Sequence, residues 1–181
     1  MNSKIHPSKG PRRPIHWTIN AFRPMQAPTT ERLRAWAIAV VLRLMLHLGY
    51  VVLLVGAARS GKTFLLSRTT PGQIIDESDY WQRSAQQPSF DASCLPESPF
   101  AIDEAMAFEP RSLAAGIAQL NDRGFVIAVQ QIEDLARSGT ATALAGKRLM
   151  IVHLQTGNLP VNKQQLVADI SKVDDAMKGE A

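Results

Sequence analysis

The 181 residues read as one α/β domain, a mainly parallel five-stranded sheet flanked by helices in three layers. Three observations predict it. From Tyr50 onward short apolar runs alternate with segments of helical spacing, the pattern of a parallel sheet covered by helices. One of those runs leads straight into a glycine-bracketed turn, "GAARSGKT" at 56–63, which opens the next helical segment. With 45% apolar and 20% charged residues, the chain has an ordinary globular composition and is long enough for one real core plus short appendages.

Residues 1–28 carry Pro7, Pro11, Pro14, Pro24 and Pro28. Each proline removes a backbone donor and turns the residue before it away from helix, so this stretch is expected as an extended basic tail, held down by Trp17 and Phe22. Thr29 or Thr30 caps a helix over 29–48 that packs on the core, its apolar face formed by Leu33, Trp36, Val40, Leu44 and Leu48. Residues 35–58 are apolar enough to suggest a membrane span. Gly49 interrupts them, however, with helix formers before it and β-branched or aromatic residues after it. The reading is a buried helix followed by a buried strand, not a span.

The main domain is placed at 49–158. Its strands are expected at 50–55, 73–76, 100–103, 125–130 and 148–154, with helices near 62–68, 110–123 and 132–137. Residues 88–99, "PSFDASCLPESP", form a Pro- and Ser-rich connector. Residues 159–181 read as an amphipathic helix with Leu166, Ile170, Val173 and Met177 on one stripe. That stripe, within 161–178, suits docking on the core or on a protein partner, including a neighbouring copy.

Charge is uneven. Residues 1–34 hold seven Lys or Arg against Glu31 alone, whereas 35–181 hold thirteen basic and fifteen acidic residues. The basic front end points to a polyanion, either nucleic acid or an acidic membrane surface; a solvated leader that contacts nothing is the plain alternative. Cys94 is the one cysteine, so no intrachain disulfide forms. A reducing, cytoplasmic setting is the simpler expectation. The first 25 residues contain no continuous apolar stretch of the kind a signal peptide needs.

Residues Gly56, Ala57, Ala58, Arg59, Ser60, Gly61, Lys62 and Thr63 satisfy G-x4-G-K-[ST]. The glycines let the main chain approach a ligand closely. Successive N–H groups then form an anion nest, to which the helix N-terminus adds partial positive charge. Lys62 reaches the β- and γ-phosphates in this arrangement, and the Thr63 hydroxyl ligates Mg²⁺. Arg59 lies in the variable part of the loop and has no assigned role. The motif is the Walker A loop, and the chain resembles the P-loop NTPases over residues 49–155. The resemblance implies their three-layer fold, with ATP or another NTP and Mg²⁺ as cofactors.

"SPFAIDEA" (98–105) resembles the Walker B strand of that superfamily. Asp103, at the carboxyl end of the strand, would serve the metal from the far side of the nucleotide. Glu104 lies past the strand end and points elsewhere. There it would orient or deprotonate an attacking water. Such an Asp-Glu pair resembles the additional-strand, catalytic-glutamate division, which includes AAA+ proteins, RecA-like motors and HerA/FtsK translocases. Gln130 and Gln131, ending the next strand, both qualify as γ-phosphate sensors. Gln131 is favoured because "QQIEDL" is similar to the strand-end glutamine of FtsK-like and type IV secretion coupling ATPases. Arg123 reads as a surface arginine, with an arginine finger as the alternative.

Three functions stay open at this point. The first is an ATPase whose hydrolysis drives a conformational cycle on DNA or a protein partner, with Glu104, Lys62 and Gln131 in catalysis. The second is a small-molecule or nucleotide kinase of shikimate-kinase-like size, in which Asp76 or Asp79 of "IIDESDYW" would hold the acceptor hydroxyl. The third is a non-hydrolysing nucleotide-dependent switch or anchoring module.

Overall fold

The computed structural model describes residues 13–23, 28–76, 87–96, 99–120 and 123–156. In chain order the elements are β1 (Ile15–Asn20), α1 (Pro28–His47), β2 (Tyr50–Gly56), α2 (Lys62–Thr69) and β3 (Ile74–Ile75). They continue with β4 (Phe100–Ile102), α3 (Pro110–Gln119), β5 (Phe125–Val129), α4 (Glu133–Arg137), α5 (Thr140–Leu144) and β6 (Arg148–Gln155). Short 3₁₀ turns at Ala92–Cys94 and Ala105–Ala107 flank β4.

All six strands belong to one parallel sheet in the order β1-β6-β2-β5-β4-β3. Connections obey a single hand. α1 and α2 carry the chain toward the β3 edge and line one face with Leu42, Leu46, Leu65 and Leu66. The links that return toward β6, including α3, α4 and α5, line the other with Phe108, Leu113, Ile117, Leu135 and Leu144. A right-twisted strand feeding a right-handed crossover sorts helices to the two faces in this way. Strands β2 and β5 are buried on both faces, which is why "VVLLV" and "FVIAV" show no polar alternation. Phe100 and Phe125 stack 5.5 Å apart at the start of their strands and tie β4 to β5.

Two expectations are corrected. The sheet has six strands rather than five, because "IHWTIN" within residues 1–28 forms β1 along the outer edge of β6, Ile15 opposite Met150 and Asn20 opposite Gln155. Pro14 precedes this strand and hides it among the prolines. The β-branched and aromatic residues between the prolines are the available signal. Trp17 packs on the core and Phe22 is buried, so this stretch is part of the domain.

The second correction concerns α1. The stripe Leu33, Trp36, Val40, Leu44 and Leu48 faces outward. The buried residues are Ala35, Ile38, Ala39, Leu42 and Leu46 on the opposite side. The helix carries an apolar stripe on each of two opposite sides, with Arg32, Arg34 and Arg43 between them, and smaller residues such as Ala35 and Ala39 allow it to lie close to the sheet.

Residues 35–58 divide as expected into helix and strand. Gly49, with φ 76°, ends α1, and its N–H donates to the Leu46 carbonyl. No helix among the described residues is long and apolar enough to cross a membrane. The expected strands and helices otherwise appear, shortened or extended by one to four residues, and α5 is additional. The C-terminal helix expected at 159–181 lies outside the described residues, as do Lys4, Lys9, Arg12 and Asp79.

Candidate functional site

The site forms at the carboxyl ends of β2, β4 and β5, the place where ligands bind in open parallel sheets. β5 lies between the strand that leads into the glycine loop and the strand that ends at Asp103. Residues 56–63 turn from β2 into α2. Gly56 and Gly61 leave room that no other residue would. A Cβ on Gly56 would come within 2.6 Å of Ser60 Oγ and 2.9 Å of Leu154 Cβ. Gly61 has φ 89° and sits against Phe22, where an added Cβ would approach to 2.7 Å. Both clashes explain the glycine bracket in packing terms, independently of any ligand.

The Phe22 contact has no signal in the sequence. Its N–H donates to the Ser60 carbonyl (3.0 Å), and its ring lies 5.7 Å from that of Phe64. The Arg34 guanidinium lies over the Phe22 ring, 4.4 Å from its centre. Arg34 also donates to Glu31 and to the carbonyls of Asn20 and Ala21. The chain segment after β1 thus braces the glycine loop from behind. Arg34, counted with the basic front end, spends its donors inside the fold.

Lys62 is 5% exposed. Its Nζ donates to the carbonyls of Gly56 (2.8 Å) and Ala57 (3.4 Å), and Glu104 Oε1 stands 3.6 Å away. A buried ammonium is costly unless it is compensated, and here two carbonyls of the loop itself and the Glu104 carboxylate at the end of β4 do so. Ser60 is fully buried, and its Oγ has no hydrogen-bond partner. Arg59 has φ 62° and is exposed.

Thr63, first turn of α2, donates its hydroxyl proton to Asp103 Oδ2 at 2.6 Å. Forty positions of sequence separate the two. Asp103 is 3% exposed, and its other oxygen accepts from the Glu104 N–H at 3.0 Å. Its own N–H donates to the Ile75 carbonyl, which ties the end of β4 to β3. Glu104 occupies the left-handed region (φ 43°, ψ 49°), an uncommon place for a residue with a side chain. That turn sends the two carboxylates apart, Asp103 toward Thr63 and Glu104 toward Lys62.

Gln130, the first residue after β5, places its side-chain amide 3.4 Å from Glu104 Oε2. Gln131, favoured from the sequence, takes its main-chain N–H to Asp134 Oδ2 at 3.2 Å. Both glutamines line a cavity of about 260 Å³ with Glu104, Met106, Val129 and Asp134. Gln130 is therefore the glutamine that touches Glu104. The period of two along a strand predicts one face for each residue, but β5 ends at Val129 and that rule lapses one residue too soon.

Arg123 lies at the start of β5, the end of the strand away from the loop. It donates to the Pro96 carbonyl and lies 5.7 Å over the Phe100 ring. Asp76 follows β3, on the far side of β4 from β5. Among the described residues no group of three or more His, Cys, Asp or Glu is placed to hold a metal. Any cation held here would take oxygens from Thr63, Asp103, water and its ligand's own phosphates, a donor set that suits Mg²⁺.

No family model matches the chain, and neither does any curated protein or solved structure.

Proposed function

We propose that the chain is a nucleoside triphosphatase that binds ATP with Mg²⁺ and hydrolyses it to drive a conformational cycle on a DNA or protein partner. The observation that carries this reading is the convergence of Lys62, Thr63, Asp103 and Glu104 at one end of the sheet. The position of β5 between β2 and β4 supports the additional-strand likeness in particular.

Each residue has a task. The main-chain N–H groups of 57–63 and the start of α2 hold phosphate oxygens. Lys62 exchanges the Gly56 and Ala57 carbonyls for β- and γ-phosphate oxygens. The left-handed turn keeps Glu104 clear of Asp103, facing the cavity where a water would lie, which it orients and deprotonates. Gln130 steadies the Glu104 carboxylate. Thr63 and Asp103 hold the cation, which when bound neutralises charge on the phosphates. The exposed carboxylate of Glu104, beside a cavity lined by two glutamines, suits water as acceptor.

The test is steady-state phosphate release with purified full-length chain and Mg·ATP, alone and with single- or double-stranded DNA. Release without added acceptor is the expected result, and stimulation by DNA would name the partner. Binding without turnover would instead support the switch reading. Turnover that appears only with a small hydroxylated compound would support the kinase. Absence of heat on titrating Mg·ATP into folded protein removes the nucleotide site altogether.

A further inference from the structure

The nucleotide chemistry leaves the Ser60 hydroxyl without a task. Ser60 is 0% exposed, and among the described residues its Oγ has no hydrogen-bond partner. A buried hydroxyl that bonds to nothing keeps the full cost of its desolvation, so such a group in a native fold calls for a cause.

Its surroundings supply one. A Cβ added to Gly56 would meet Ser60 Oγ at 2.6 Å and Ser60 Cβ at 3.3 Å. The hydroxyl therefore lies against the main chain of Gly56. Leu154, 4% exposed, closes the same space, its Cβ 2.9 Å from that added atom. Full burial between the two keeps the hydroxyl behind the loop, away from the open side by which a phosphate would enter.

Gly56 is also the residue that Lys62 holds. Lys62 Nζ donates to the Gly56 carbonyl at 2.8 Å and to the Ala57 carbonyl at 3.4 Å. When the ammonium moves to phosphate oxygens, the two carbonyls fare differently. The Ala57 carbonyl keeps the Ser60 N–H, which donates to it at 3.1 Å. The Gly56 carbonyl loses a charged donor in a buried setting, and charged donors make the stronger bonds. A neighbouring hydroxyl suits the vacated position, because its proton turns to meet an acceptor.

We propose that Ser60 is a positioning residue that takes over the Gly56 carbonyl when Lys62 leaves it. In the empty loop the ammonium holds the carbonyl. In the loaded loop the Ser60 hydroxyl donates to it, and Lys62 turns to the phosphates without leaving a buried acceptor bare. The loaded state rests on the nucleotide reading above, whereas the exchange of donors is a property of the chain alone.

Two measurements on the full-length chain test this. The first is a thermal-unfolding cycle without nucleotide, in which Ser60→Ala is made in the natural chain and in Lys62→Met, a change that keeps the stem and removes the ammonium. Without the ammonium the hydroxyl carries the carbonyl, so the Tm shift on Ser60→Ala should be about 2–4 °C more negative in the Lys62→Met background. Equal shifts, or the opposite order, overturn the proposal. The second is calorimetric titration with Mg·ATP. Ser60→Ala should weaken affinity about tenfold, with Ser60→Cys, a weaker donor, in between. Unchanged affinity in Ser60→Ala, where the natural chain binds, overturns the role of Ser60 and leaves the nucleotide site standing. Weakened affinity with equal Tm shifts would mean that the hydroxyl touches the ligand itself, which also overturns it. No binding by the natural chain removes the nucleotide reading, and the loaded state with it.

Discussion

The two ends of the sheet use cations in opposite ways. At the amino ends of the strands Lys147 caps the Leu120 carbonyl at 2.7 Å, Arg148 caps the Leu48 carbonyl at 3.0 Å, and Arg123 caps Pro96. These bonds close chain ends that would otherwise leave carbonyls unpaired. At the carboxyl ends Lys62 also sits on carbonyls, but those carbonyls belong to its own loop and Glu104 stands beside it. Two side-chain-bearing residues there, Arg59 and Glu104, have positive φ, and Ser60 Oγ lacks a partner. At one end cations close carbonyls left by turns of the chain. The other holds strained and underused groups around a loop, as an anion site would.

Breaking the contrast at Lys62 should have the largest effect. Lys62→Ala should weaken Mg·ATP affinity by at least two orders of magnitude in calorimetry and also lower Tm, because the Gly56 carbonyl it leaves is buried. Unchanged affinity would mean the loop is a turn and nothing more. Glu104→Gln comes next, with phosphate release reduced on the order of 10²–10⁴-fold and nucleotide affinity retained. Undiminished release would place the base elsewhere.

Phe22→Ala sharpens the comparison from behind the loop. It should cost about 3–5 kcal/mol in denaturant unfolding, the usual range for a buried phenylalanine, and also weaken nucleotide affinity. Lost stability with unaltered affinity would show that the brace serves the fold alone. Lys147→Met, at the opposite end, should cost about 1 kcal/mol and leave affinity untouched. Any loss of nucleotide binding there would undo the division between the two ends.

The smallest effect is in pH. Burial, with His16 as a lesser cause, holds the His153 imidazole below its ordinary value of 6.5. The unfolded chain then binds the proton more readily, so stability is full above about pH 6.5 and declines as pH falls below it. His153→Gln should flatten that part of a Tm profile, and an unchanged profile would assign the slope to other groups.

The chain order alone makes several things legible. The eight residues of the glycine loop are consecutive, so their conformational demands are written together. The same is true of the apolar runs of β2, β5 and β6, whose lack of alternation reflects burial on both faces, and of Gly49, which separates helix from strand. The Asp103–Glu104 pair is readable as a strand end followed by a carboxylate with a different direction.

What tertiary structure decided lies where the relevant atoms are far apart in sequence or where local patterns are degenerate. α1 offers two apolar faces with the same period, and only the sheet beneath selects Ala35, Ile38 and Leu42 over Leu33, Trp36 and Leu44. The edge of β6 makes a strand of "IHWTIN", because a parallel edge strand depends on its neighbour's unpaired backbone. Thr63 meets Asp103, and Gln130 meets Glu104, because sheet order brings three strand ends together. Periodicity reports which residues favour burial. Which surface buries them, and which strand ends meet, depends on long-range packing that no local pattern contains.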